Sequence, residues 1–154
     1  MNTGSVYELK ALLKFLHDRY VVRYRQVVLE IDVVAVMQIQ RDTGLWYSAE
    51  YSTFCVSDEA GKYLLTAAGY SGDAGDALTA TPQSQHIPNG KMFTTFDSDN
   101  DLCATGCNCA VDQGGGWWFD WCTAAGLNYD TNSVWVISSV VFDVQAARML
   151  VKAD

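Results

Sequence analysis

The stretch from 97 to 122, DSDNDLCATGCNCAVDQGGGWWFDWC, constrains this chain most. Aspartates alternate at 97, 99 and 101, and Cys103, Cys107, Cys109 and Cys122 follow, with four glycines and a Trp pair among them. Alternating carboxylates in a loop of small polar residues supply hard oxygen ligands, which suit Ca²⁺. Cysteines this dense mean either bridges or zinc. The region must therefore fold around cross-links, because it holds too little apolar side chain to order itself.

The surrounding charge agrees. All of the net charge of −8 arises between Asp58 and Asp130, where Lys62 and Lys91 are the only basic residues. Such a chain lacks the basic face that nucleic acid requires. An acidic stretch fits cation binding, or simply a solvated surface. At 154 residues and 49% hydrophobic content the chain reads as one globular domain, 1–154. No apolar run is long enough to span a membrane. The first twenty residues scatter charge among their apolar positions and do not read as a signal peptide.

Local pattern predicts an α+β fold. Ser5 and Glu8 form a capping-box pattern ahead of Leu9, Leu12, Leu13, Leu16 and Tyr20, which predicts a helix over 6–20. Val27, Leu29, Ile31 and Val33 alternate as in one or two strands, and 40–44 has turn chemistry. Strands are expected over 45–56 and 62–67, joined by a turn at 58–61 as an antiparallel hairpin. From 69 to 116 Gly, Asp, Ser, Thr and Asn dominate, as in a long functional loop. Strand pattern returns over 134–144 and again over 148–152.

The aspartate repeat is not an EF-hand, since Leu102 and Asn108 stand where that loop needs Gly and Glu. Asp99 and Asp101 would supply charge to a Ca²⁺ ion, and the carbonyls of Cys103 and of Thr105 or a neighbour would supply neutral oxygens. The cysteine spacings, C-x3-C, then C-x-C, then a twelve-residue gap to Cys122, lack the second short knuckle of a four-thiolate zinc site. Bridges are favoured, Cys103 to Cys107 and Cys109 to Cys122, leaving Cys55 as a buried thiol or an inter-chain link. His17 and His86 are the only histidines, and no nucleophile, P-loop or dinucleotide motif accompanies them. GDAGDA at 72–77 lacks a strand-to-helix setting and reads as a loop.

Three ordered segments resemble the fibrinogen C-terminal (fibrinogen-related) family. AEYSTFCVSDEAGKYLLTAAGYSGDAGDAL at 49–78 is similar to its hairpin and its G-x-x-G-x-A-G-D-A loop. NGKMFTTFDSDND at 89–101 is similar to its N-G-x-x-F-S/T-T-F/W/Y-D-x-D-N-D signature. NCAVDQGGGWWFDWC at 108–122 is similar to its N-C-A…G-x-W-W…C segment, and Leu127–Asn128 to the L-N that follows. The resemblance covers 29–151 and is strongest over 47–128, with 1–28 a divergent N-terminal helix and strand. It implies a shortened member of the family with a twisted antiparallel sheet, a short helix and a large irregular calcium-binding loop region.

The resemblance further implies a secreted, non-enzymatic, lectin-like domain of the innate-immunity type. Such a domain binds Ca²⁺ and recognises glycans or acetylated groups on microbial surfaces. It places metal ligands at Asp99, Asp101, Cys103 and Thr105, and a pocket bridge at Cys109–Cys122. It also implies a cis Trp121–Cys122 peptide, aiming backbone N–H groups at an acetyl oxygen. Ligand contacts would come from Gln113, Trp121, Cys122, Thr123 and Tyr129. Gln113 and Thr123 replace the family's tyrosine and histidine, and two inserted residues bring the pair Cys103 and Cys107. A pocket without its usual tyrosine and histidine would leave a structural module that self-associates as a homo-oligomer.

Overall fold

The computed structural model describes residues 6–8, 29–80, 86–104, 106–123, 125–129, 133–137 and 140–152. Its centre is an antiparallel sheet of seven strands: β1 (Val6–Glu8), β2 (Leu29–Arg41), β3 (Trp46–Val56), β4 (Leu65–Gly72), β5 (Ala125–Gly126), β6 (Val134–Ile137) and β7 (Val140–Lys152). The spatial order is β4-β3-β2-β7-β6-β5, and β1 pairs with β7. One short helix, α1 (Cys109–Gln113), lies in the long loop. The α+β expectation holds, and among the described residues sheet far outweighs helix.

β2 is amphipathic in the way a half-covered strand must be. Ala35, Met37 and Ile39 are buried, and the residues between them are half-exposed. In β3 the buried face changes parity, from Ala49 and Tyr51 to Phe54 and Val56. β4 changes with it, since Ala67 and Leu65 pair with Phe54 and Val56 while Tyr70 pairs with Tyr51. A glycine permits the switch. Gly69 has φ +69°, and a Cβ there would lie 1.9 Å from Ser52 Oγ.

Four expectations need correction. Val6–Glu8 is a strand, in register with Lys152, Val151 and Leu150 of β7; partners distant in sequence override a local capping pattern. The rest of the expected helix, 9–20, lies outside the described residues. The expected turn at 40–44 begins two residues late, because β2 runs on to Arg41 and pairs with Val144. The pattern over 134–152 forms a β6–β7 hairpin, with Ile137 opposite Val140 and 148–152 continuing β7. The 62–67 strand begins at Leu65, after a turn in which Lys62 and Tyr63 adopt φ near +55° and +54°.

The long loop closes over the sheet beside β4. Gly90 N–H donates to Leu65 O, Leu65 N–H to Lys91 O, and Ala67 N–H to Asn89 Oδ1. These bonds satisfy the outer edge of β4. Behind them Trp118 meets Phe93, Trp117 and Phe54 edge-on, with centroids 5.1, 5.4 and 6.2 Å away. Trp117, Trp118 and Phe119 are all buried, as core packing requires. The GDAGDA segment is a loop, as expected. Asp76 accepts from Tyr51 Oη at 3.0 Å, and Ala74 O accepts from Trp135 Nε1 at 3.0 Å.

Candidate functional site

The acidic loop is held by the side chains of its own motif. Asn100 donates through Nδ2 to Phe93 O at 2.9 Å and to Ser98 O and Oγ, while its N–H reaches the buried Thr94 Oγ1 at 3.1 Å. Thr94 in turn bridges Trp117, N–H to O at 2.9 Å and O to N–H at 3.2 Å. Asn100 therefore anchors the turn to the aromatic core. Asp99 and Asp101 flank it at the surface.

The three aspartates have different tasks. Thr95 Oγ1 donates to Asp97 Oδ1 at 2.6 Å, which ties Asp97 into the turn. Asp99 Oδ1 accepts the Asp101 N–H at 3.2 Å. Asp101 takes an N–H on each oxygen, Cys103 at 2.8 Å and Cys109 at 2.8 Å. Among the described residues no Lys or Arg pairs with Asp99 or Asp101, and the three aspartates do not close into one three-carboxylate group. The donor set fits a hard cation held by two carboxylates plus carbonyls. Each oxygen of Asp101 keeps a lone pair, and its two N–H bonds fix the carboxylate's direction. Thr105 lies outside the described residues.

Both expected bridges are present, Cys103–Cys107 and Cys109–Cys122, with Cα separations of 5.7 and 5.0 Å. Cys55 lies on β3 outside them. Asn108 caps α1 by accepting the Val111 N–H and also donates to Thr95 O, so the helix that carries Cys109 is fixed to the acidic turn. Across the bridge, the Asp120 carbonyl accepts the Leu102 N–H at 2.9 Å. Asp120 is buried and pairs with Lys91 Nζ at 3.1 Å.

The structure gathers some of the expected ligand contacts and separates others. Trp121 is 49% exposed. The Trp121–Cys122 peptide is trans, against the cis bond the resemblance implies. The chain turns there through Cys122 itself, at φ +43°, without the cis isomer's cost of about 3 kcal/mol. Thr123 is buried, and its hydroxyl donates to His86 O at 2.7 Å and accepts the Ala125 N–H, so it secures the loop. Gln113 ends α1, half-buried, and its side chain makes no hydrogen bond among the described residues. Tyr129 stacks on Phe119 at 5.9 Å and lies over Gly126, where a Cβ would fall 1.9 Å from its Cζ. Burial pushes its phenol far above the usual tyrosine range. Its hydroxyl is buried without a partner among the described residues.

Sequence reasoning missed His86. Its Nδ1 lies 2.9 Å from Trp121 O, so Nδ1 carries the proton, and its carbonyl receives Thr123. No sequence signal links positions 86 and 121; only the fold brings them together. A separate cleft of about 210 Å³ is lined by Ile39, Arg41, Tyr47, Asp73, Ala74 and Trp135, and it contains none of the expected site residues.

An N–G turn on a strand edge, an Asn-anchored aspartate loop and a bridged W-W segment thus form one unit. Residues 23–140 match the C-terminal globular domain of fibrinogen beta and gamma chains. The chain belongs to the fibrinogen C-terminal domain family. This fibrinogen-like domain is 39% identical over 97 residues to fibroleukin of Bos taurus, covering 63% of this chain and 21% of that protein. It is 35% identical over 131 residues to protein scabrous of Drosophila melanogaster, covering 80% of this chain and 15% of that protein. It therefore spans about a fifth or less of the length of these relatives.

Among solved structures it resembles the fibrinogen-like globe domain of human ANGPTL2, with TM-score 0.67 and 27% identity over 82% of this chain and 60% of that one. Lamprey fibrin D-dimer, complexed with the peptide Gly-His-Arg-Pro-amide, shares the fold at TM-score 0.66 and 20% identity, over 79% of this chain and 45% of that one. The fold is thus fibrinogen-like. No helix among the described residues is long and apolar enough to cross a membrane.

Proposed function

We propose that this domain is a secreted, non-enzymatic recognition module that binds Ca²⁺ and, beside it, a carbohydrate or acetylated group of a microbial surface. The observation that carries the reading is the Asp101 carboxylate, which holds the Cys109 N–H at 2.8 Å. One side chain thereby serves both the acidic loop and the bridge that leads to Cys122. Asp99 and Asp101 would hold the ion, with carbonyl oxygens near Cys103 and Thr105 completing its shell. A bound ion would supply positive charge that offsets the mutual repulsion of the two carboxylates.

The chain's own residues do the rest. Asp101 fixes the start of α1, the Cys109–Cys122 bridge passes that order to Cys122, and His86 holds the Trp121 carbonyl. Exposed Trp121 offers an aromatic face of the kind that sugar rings and acetyl methyls pack against. Titration calorimetry with N-acetylated sugars and peptidoglycan fragments, with calcium and with chelator, tests the coupling. Binding in calcium that weakens on chelation is expected; equal affinity in both conditions refutes it.

The peptide held by lamprey fibrin on the same fold supports a second reading, in which the same face takes a short peptide. A peptide array probed in calcium separates the two.

A further inference from the structure

The two bridges are neighbours in space. The four sulfurs of Cys103, Cys107, Cys109 and Cys122 all lie within 4.8 Å of one another. A tetrahedral zinc tetrathiolate, with Zn–S bonds of about 2.3 Å, places its sulfurs about 3.8 Å apart. Side-chain rotation spans the difference once the S–S bonds are open, because the paired Cα atoms already stand 5.7 and 5.0 Å apart. In sequence only Cys103 and Cys107 look like half of a zinc site; the fold supplies the other half by bringing Cys122 to Cys109.

We propose that, with both bridges reduced, these four cysteines form a tetrathiolate site for one Zn²⁺-class cation. The site is distinct from the oxygen-lined loop of Asp99 and Asp101, which suits hard cations. Each disulfide takes two electrons from a reductant and two protons. Two thiols give up both and join as a disulfide. A phosphine instead gives the electrons, takes the oxygen of a water molecule as its oxide, and leaves that water's two protons to the cysteines. The cation then displaces the thiol protons to solvent as the four S–metal bonds form. Cys103, Cys107 and Cys122 are half-exposed, so each bridge has at least one residue that meets solvent. Asp112 Oδ2, 3.6 Å from Cys107 Sγ, adds negative potential that favours an approaching cation. The bound ion would replace two cross-links with one, keeping α1 joined to the acidic loop and to Cys122.

Cobalt titration of the whole chain tests this. The protein is reduced with a phosphine under anaerobic conditions, with Ca²⁺ in excess so that hard oxygen sites are filled. One Co²⁺ per chain is expected, with the intense visible bands of tetrahedral cobalt thiolate, displaced by Zn²⁺ and absent from the oxidised protein. Cys55→Ser should leave the bands intact, and Cys103→Ser and Cys122→Ser should each abolish the four-sulfur spectrum. Pale octahedral cobalt, or bands that require Cys55, overturns the proposal. Where reduction unfolds the chain, added Zn²⁺ must restore the near-ultraviolet dichroism of the oxidised protein. Failure to restore it overturns the proposal equally.

Discussion

Asp101 Oδ2 accepts the Cys109 N–H at 2.8 Å while Oδ1 accepts that of Cys103 at the same distance, so one carboxylate holds both bridges. Asp99, one turn residue away, holds only the Asp101 N–H. The two candidate calcium ligands should therefore behave differently when changed.

Asp99→Asn should weaken calcium binding and leave the metal-free protein's stability nearly unchanged. Asp101→Asn should weaken calcium binding and also cost the metal-free protein about 1–2 kcal/mol, because an amide oxygen replaces two charge-assisted acceptors. Calcium at a hundredfold over its Kd should add about 2.7 kcal/mol to the unmodified protein. Urea unfolding with calcium and with chelator reads all three.

Loss of the Cys109–Cys122 bridge, as in Cys109→Ser with Cys122→Ser, should cost about 3 kcal/mol, since it spans a sequence separation of 13. Loss of Cys103–Cys107, with a separation of 4, should cost less in global unfolding and show mainly as faster amide exchange in the acidic loop. Denaturant midpoints and hydrogen exchange distinguish the two.

Gly126→Ala should cost about 1–3 kcal/mol, because the added methyl would overlap the Tyr129 ring and force it off Phe119. Pairing with Tyr129→Ala should recover part of that cost. A thermal-melt double-mutant cycle checks the coupling.

Tyr51 and Tyr129 both have phenol pKa values raised in the fold by burial, Tyr51 also by the Asp76 charge. A raised acid pKa favours the neutral folded form. The stability these groups contribute is whole below the unfolded tyrosine value of about 10 and falls as pH rises above it. Phenolate absorbance should show the two rings ionising only with unfolding, while exposed tyrosines titrate first.

Trp121→Ala should leave stability near that of the parent, since the ring is half-exposed, and should weaken ligand binding about tenfold, or 1.4 kcal/mol. His86→Ala should weaken binding through the loop, by freeing the Trp121 carbonyl. Calorimetry beside thermal melts separates contact from support.

Patterns local in sequence were legible without coordinates. The aspartate repeat, both bridges and the strand expected over 45–56 follow from spacing and residue type. Strand ends were less so, because Arg41 and Leu65 take their state from Val144 and Val56. Val6–Glu8 shows the same rule in its strongest form, a helix-start pattern drawn into a sheet by β7.

The sequence alone determined the donor chemistry: hard oxygens at 99 and 101, thiols at 103, 107, 109 and 122, and aromatics between them. Ligand type is a property of each side chain and needs no neighbour. Only the tertiary structure decided what each donor faces. It placed both N–H bonds on Asp101, moved Thr123 inward, brought His86 to Trp121 and set four sulfurs within 4.8 Å. The contacts of His86 with Trp121 and Thr123 close sequence separations of 35 and 37, and one-dimensional spacing does not specify them.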